Sequence, residues 1–186
     1  MIFEDTTSII SLDEISRELV EGLPVELNDA RTKSKPWTRA IFIQLRVMGE
    51  ERGMCVYSSH GPSNKGGWLL DLVWKPQGRR EIVLAVESEW GYPSDVEYDF
   101  DKLMSVKSRY KLLLFNTGNQ KESEEVRRRI KQSMEAYPYH LAGEEYLALD
   151  VKGIGIFRYY FRVPTNGPLA AVDFESLGEP LHLPAG

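Results

Sequence analysis

Residues Gly67–Asn116, GWLLDLVWKPQGRREIVLAVESEWGYPSDVEYDFDKLMSVKSRYKLLLFN, read in order as strand, tight turn, strand, loop, helix and strand. The stretch carries acids where acids are costly. Asp71 interrupts the apolar run Trp68 to Trp74, and Glu87 and Glu89 end the run Ile82 to Val86. Side chains alternate along a strand, so Val83, Ala85, Glu87 and Glu89 are predicted on one face and Ile82, Leu84 and Val86 on the other. The segment Lys75-Pro76-Gln77-Gly78-Arg79-Arg80 has Pro and Gly where a hairpin connection wants them. A hairpin there lays the Asp71 strand antiparallel to the Glu87 strand, and three carboxylates then converge. Like charges at close range raise one another's pKa unless a cation lies between them. A set of oxygen ligands suits a hard divalent ion, Mg²⁺ or Mn²⁺.

Asp71, Glu87 and Glu89 in this order and spacing resemble the signature of the PD-(D/E)XK nuclease superfamily, an Asp on one strand and an acid-x-Lys on the next. The resemblance covers about residues 36 to 116 and implies a restriction-endonuclease-like fold. That is an α/β domain whose mixed sheet is flanked by helices on both faces. The sequence departs from the commonest pattern at Glu89, where that pattern has Lys. Some branches are similar to this chain in carrying Glu-x-Glu, and others in having the lysine moved to the following helix. Lys102, in Asp99-Phe100-Asp101-Lys102-Leu103, is the candidate for a relocated lysine, with Lys107 behind it. By this resemblance Asp71, Glu87 and Glu89 are the expected metal ligands, and Lys102 joins them as a catalytic residue. The implied activity is divalent-metal-dependent hydrolysis of phosphodiesters, with DNA as the expected partner. Two other readings stay open: a catalytically silent member of the fold acting as a binding module or partner subunit, and a metal-dependent hydrolase of small phosphate esters. Members that cut both strands often pair two sites, so the resemblance also brings a twofold homodimer into view.

The 186 residues fit one domain, with 42% apolar and 27% charged residues as in an ordinary globule. The expected parts are an N-terminal helix with its connection (1–35), the nuclease-like core (36–116), a helix with two further strands (117–163) and a C-terminal extension (164–186). No apolar run is long enough to span a bilayer, and Met1-Ile2-Phe3-Glu4-Asp5 does not open as a signal peptide, so a cytoplasmic location is expected. The single Cys55 excludes an internal disulfide or a multi-Cys zinc site and reads as a buried strand residue. The formal charge of −5 argues against a generic nucleic-acid binder, although a bound divalent ion would offset part of the acid excess.

Further local signals frame the core. Ser11-Leu12-Asp13-Glu14 has the form of a capping box, followed by a stripe of Leu12, Ile15, Leu19 and Leu23. Pro36 suits the first turn of a second helix, with Trp37, Ile41, Leu45 and Met48 inward and Gly53 ending it. Glu50 and Glu51 fall at its far end, away from a metal site. The loop 59–67 holds glycines but lacks the Lys-Ser/Thr and following helix of a P-loop. His60 and Lys65 could meet phosphate there, with a plain surface role the weightier reading. Ser94 is the expected cap of the helix carrying Lys102. Arg127, Arg128, Arg129 and Lys131 make the most basic patch, but Glu124 and Glu125 stand one turn before Arg128 and Arg129, so internal pairing is expected over contact with DNA. Residues 146–151 and 154–163 read as two more strands, and 179–186 as a loose tail.

Overall fold

The computed structural model describes residues 11–24, 27, 34–59, 69–152, 155–165 and 175–183. The chain forms a mixed seven-stranded sheet and four helices, an α/β fold. The first helix, α1 (Leu12–Glu21), begins at the capping box: the Glu14 N–H donates to Ser11 Oγ (3.2 Å), and the Ser11 N–H donates to Glu14 Oε2 (2.7 Å). Its stripe Leu12, Ile15 and Leu19 is buried, as is Leu23 beyond it. Replacing Ser11 by Ala should lower stability by about 1 kcal/mol, read as a shift in the urea midpoint at constant slope. No shift would mean that packing alone sets the helix start.

Helix α2 (Ser34–Glu51) buries Trp37, Ile41, Leu45 and Met48, as its spacing predicts. Next come β1 (Met54–Ser58), β2 (Leu72–Pro76) and β3 (Ile82–Glu89), an antiparallel meander in which Leu72 faces Val86 and Trp74 faces Leu84. Gly78 turns the β2–β3 hairpin with φ +75°, a conformation that a side chain would strain. Helix α3 (Pro93–Ser105) then leads back to β4 (Ser108–Phe115), which is parallel to β3. Helix α4 (Gln120–Ala136) similarly leads to β5 (Glu145–Lys152), parallel to β4. The sheet ends with antiparallel β6 (Gly155–Arg162) and the short β7 (Glu175–Ser176).

Two apolar layers sandwich this sheet. Residues of α1 and α2 pack with Leu72, Trp74, Leu84, Leu112, Leu114 and Leu149 on one face. Val96, Phe100 and Leu103 of α3, with Val126, Ile130 and Met134 of α4, pack on the other against Val73, Ala85, Leu113 and Tyr146. Across the first interface, Trp74 Nε1–H donates to the Leu45 carbonyl at 3.0 Å, satisfying a buried donor. Among the described residues no helix is long and apolar enough to cross a membrane.

Several expectations change in detail. The alternation along β3 holds from Leu84 onward, but Val83 joins the α1/α2 layer and Ile82 the α3/α4 layer, the reverse of prediction, at the strand's start. Cys55 is half-buried because β1 is the sheet's edge strand. Helix α3 starts one residue before Ser94, with Tyr92 at the cap position, because Pro93 has its φ preset for the first turn and Asp95 Oδ2 accepts the Tyr92 N–H at 3.1 Å. Within the expected tail 179–186, residues 179–183 are anchored, since Leu181 bridges Ile156 and packs with Leu177 and Leu183 against the core, and 184–186 lie outside the described residues. His60, Lys65 and Trp68 lie outside the described residues.

A buried cation was legible only as part of an apolar strand. Lys111 in β4 is fully buried and places Nζ 2.7 Å from Glu144 Oε1, while donating to the Tyr146 hydroxyl at 2.9 Å. Tyr146 in turn donates to Glu144 Oε2 at 3.0 Å. Each charge meets its opposite, the condition under which buried charges persist. Burial lowers the Lys111 pKa, against the opposing pull of Glu144.

Candidate active site

The site lies where β2 and β3 meet beneath α3. Extending the β2–β3 register by one residue sets Asp71 across from Glu87, both on the face that packs against α3. Asp71 directly precedes β2 and is half-buried. Its Oδ2 accepts from the Ser88 N–H (3.0 Å) and Ser88 hydroxyl (3.1 Å), and its Oδ1 accepts from the Ser59 hydroxyl (3.3 Å). These bonds pin the start of one strand to the end of the next.

Glu87 is 1% exposed. Its Oε2 accepts from Lys102 Nζ at 2.9 Å, whereas its Oε1, among the described residues, is buried without a hydrogen-bond partner. Such an atom is unusual, because a buried acceptor left unsatisfied costs free energy. Burial pushes the Glu87 carboxyl up from 4.5 to about 8; the Lys102 hydrogen bond opposes that rise, and the charges of Asp71 and Asp99 add to it.

Lys102 bridges two acids. Its Nζ lies 2.9 Å from Glu87 Oε2 and 2.8 Å from Asp99 Oδ1. Burial lowers the Lys102 pKa, but its bonds to Asp99 and Glu87 outweigh that and raise it above the ordinary value, so it stays a cation. Helical geometry explains the arrangement: Asp99 and Lys102 are three residues apart on one side of α3, whose neighbouring Val96, Phe100 and Leu103 face the sheet. Asp99 is itself buried, which raises its pKa against the lowering effect of Lys102.

Glu89 follows a separate course. Its Oε1 accepts from the N–H groups of Trp90 (2.7 Å) and Gly91 (2.6 Å), folding the carboxylate back onto the loop leading to α3. A Cβ at Gly91 would stand 2.9 Å from that oxygen and 2.8 Å from Asp95 Oδ2, so a side chain there would make these two carboxylates shift. Glu89 still lies near enough to Asp99 to add to the rise in its pKa.

As the side chains stand, Asp71, Glu87 and Glu89 each turn to a partner of their own. Among the described residues no three His, Cys, Asp or Glu side chains are grouped to hold a metal ion. The physical reason is local competition, in which each carboxylate is engaged by its own donor: Ser88 for Asp71, Lys102 for Glu87 and two backbone N–H groups for Glu89. Lys102 is brought into the site, whereas Lys107 lies beyond the end of α3 and is exposed, not laid along the core edge. Asp99 joins the site although nothing in its local sequence singles it out as a site residue. The spacing Val96, Asp99, Leu103 does set it on the inward sector of α3.

The basic patch on α4 is largely neutralised. Arg128 forks onto Glu125 (2.7 and 2.9 Å), Arg129 joins Glu125 and Glu97 (both 2.7 Å), and Arg127 lies over the Tyr159 ring, 5.1 Å from its centroid. The Arg128 and Arg129 guanidinia hold the Glu125 carboxyl down at about 2.

Compared with protein-family models, curated proteins and solved structures, this chain matches none of them.

Proposed function

We propose that the protein is a divalent-metal-dependent nuclease acting at Glu87, with DNA as its preferred partner. The observation that carries this reading is the Glu87 side chain: a buried carboxylate with one oxygen on Lys102 and the other unpartnered, opposite Asp71 at the mouth of a hairpin. The order of the elements supports it too. A mixed sheet with helices on both faces, a hairpin joining the Asp71 and Glu87 strands and a helix bearing the lysine agree with what the PD-(D/E)XK resemblance implies.

The donor chemistry fits Mg²⁺ or Mn²⁺, since Asp71 and Glu87 supply oxygen only. These two would hold the ion, with Glu89 as a third ligand if its side chain leaves the Trp90 and Gly91 N–H groups. When bound, the ion supplies positive charge to a phosphoryl oxygen and acidifies a water molecule. The other tasks belong to the chain itself. Lys102, cationic and 29% exposed, reaches from the Glu87 carboxylate toward the opening and can donate to a phosphate oxygen as charge develops there. Asp99 holds that ammonium in place from the helix side. Glu89, oriented by two backbone donors, is the candidate proton acceptor from the attacking water.

One observation favours a second reading, that of a silent binding module. The Lys102 ammonium already neutralises Glu87 and Asp99, as a structural ion network would. Thermal melting separates the two readings. A metal that binds only the folded protein raises Tm, and the nuclease reading expects Mn²⁺ to do so in wild type but not in Glu87→Gln. The companion assay incubates wild type with Mn²⁺ and a panel of single-stranded, double-stranded and branched DNA and RNA. Absence of both the shift and any cleavage would leave the silent module. Inorganic phosphate released from small esters, with the polymers untouched, would point to the phosphate-ester hydrolase. The cytoplasmic setting and the twofold dimer expected from the resemblance stand with this proposal; sedimentation at several protein concentrations reads the dimer directly.

A further inference from the structure

We propose that the protein forms a twofold dimer in which the outer face of α2 packs antiparallel against the same face of a second copy. That face is made of Arg39, Ile43, Val47 and Glu50. At about 100° per residue the four fall within a sector of about 80° around the helix axis. Ile41, Leu45 and Met48, which enter the core, lie on the opposite side. Ile43 and Val47 are 47% and 40% exposed, two aliphatic side chains one turn apart in water. Arg39 and Glu50 flank them and are exposed as well.

The order of these residues selects the occupant. Along α2 the face runs cation, aliphatic, aliphatic, anion, and an antiparallel copy presents anion, aliphatic, aliphatic, cation. Each position then meets its complement, Arg39 against the partner's Glu50 and Ile43 against the partner's Val47, and the twofold repeats both contacts. The register agrees too. The midpoint between Arg39 and Glu50 falls half a residue from the midpoint between Ile43 and Val47, about 0.75 Å along the axis. One twofold axis therefore serves the ionic and the apolar pairs together, and such self-complementarity is what an isologous interface requires.

The helix ends give a separate argument for a second copy. Lys35 stands in the first turn of α2 and Glu50 and Glu51 in the last, positions where the macrodipole disfavours them, and the first turn has no acid and the last no base. Within the chain Glu50 reaches Arg46 at 3.9 Å, with the cation N-terminal to the acid, the weaker order on a helix. Antiparallel packing brings the acids of one copy beside the positive end of the partner's helix. The interface is independent of the nuclease reading, because α2 covers the sheet face opposite α3, which carries Lys102. One helix from each copy makes a contact smaller than the roughly 800 Å² per partner of a standard interface, so the dimer is weak and reversible.

The test is sedimentation equilibrium of the whole protein from low to high micromolar concentration, where the mass should rise from monomer toward dimer. Ile43→Asp, which sets a charge at the centre of the face, should hold the protein at monomer. Arg39→Glu and Glu50→Arg should each weaken the dimer about tenfold or more, since each brings like charges together at both ends. Mixing these two variants should restore association, because in the mixed dimer both end pairs are again opposite in sign. Unchanged circular dichroism, and an unchanged Tm at low concentration, show that these exposed substitutions leave the fold intact. A monomer at every concentration overturns the proposal. So does a dimer indifferent to Ile43→Asp, or a mixture of the two charge variants that associates no better than either alone.

Discussion

Glu87→Gln should lower metal-dependent cleavage by a factor on the order of 10³, and at alkaline pH it should leave the metal-free protein more stable than wild type. The two effects share one cause, a carboxylate buried beside Asp71 and Asp99 and paired with Lys102. The amide keeps the shape and removes the charge, so metal is lost while packing is retained. The sign of the pH dependence follows from the raised pKa. Glu87 in the unfolded chain releases its proton near 4.5, whereas in the folded protein it holds it to about 8. Its contribution to stability is therefore fully present below 4.5 and is lost as pH rises through 8. The slope between these values is at most about 1.4 kcal/mol per pH unit. Urea unfolding in EDTA at a series of pH values should show this fall in wild type and a flatter profile in Glu87→Gln. Parallel profiles would mean that Glu87 is ionised throughout and that Lys102 compensates it fully.

Lys102→Ala should slow cleavage by on the order of a hundredfold or more while retaining the Mn²⁺-induced rise in Tm, because Lys102 is proposed to meet the phosphate and not the ion. The same change removes the donor shared by Glu87 and Asp99. A loss of about 1.5–3 kcal/mol is expected at pH 8, the range for hydrogen bonds to charged groups. That loss should shrink in a Glu87→Gln background, where one of the two carboxylates is already neutral, and a double-mutant cycle measures the difference. Lys107→Ala is the control: its side chain is exposed past the helix end, and both rate and stability should stay at wild-type values. A slow Lys107→Ala with a normal Lys102→Ala would assign the lysine's role to the wrong residue.

The sheet was legible because its signals are local. An apolar run ending in Glu-x-Glu and a Pro-Gly hairpin connection set Glu87 beside the Asp71 strand, whereas Lys102 was singled out only through the resemblance to a family in which the lysine can move to the following helix. What periodicity leaves open is the direction in which each carboxylate turns. Glu89 folds back onto the loop after β3, where the N–H groups of Trp90 and Gly91 capture it. Asp99, one turn before Lys102, is not marked by its neighbours, because an acid beside a lysine usually belongs to a solvated helix face, and here it is buried. The burial of Lys111 was hidden for a different reason. Its partner Glu144 is 33 residues away and comes to it only through the pairing of β4 with β5. The link between Arg158 and Asp13 spans 145 residues and is equally beyond a local reading.

The proposed function rests on Glu87 and Asp71 holding a divalent ion. Anomalous diffraction from crystals soaked in Mn²⁺ measures this directly. The account predicts a single strong peak roughly 2.0–2.2 Å from Glu87 Oε1 and from an Asp71 carboxylate oxygen, with Lys102 Nζ still on Asp99. No peak at Glu87, with the Lys102–Glu87 contact unchanged at saturating Mn²⁺, would contradict it.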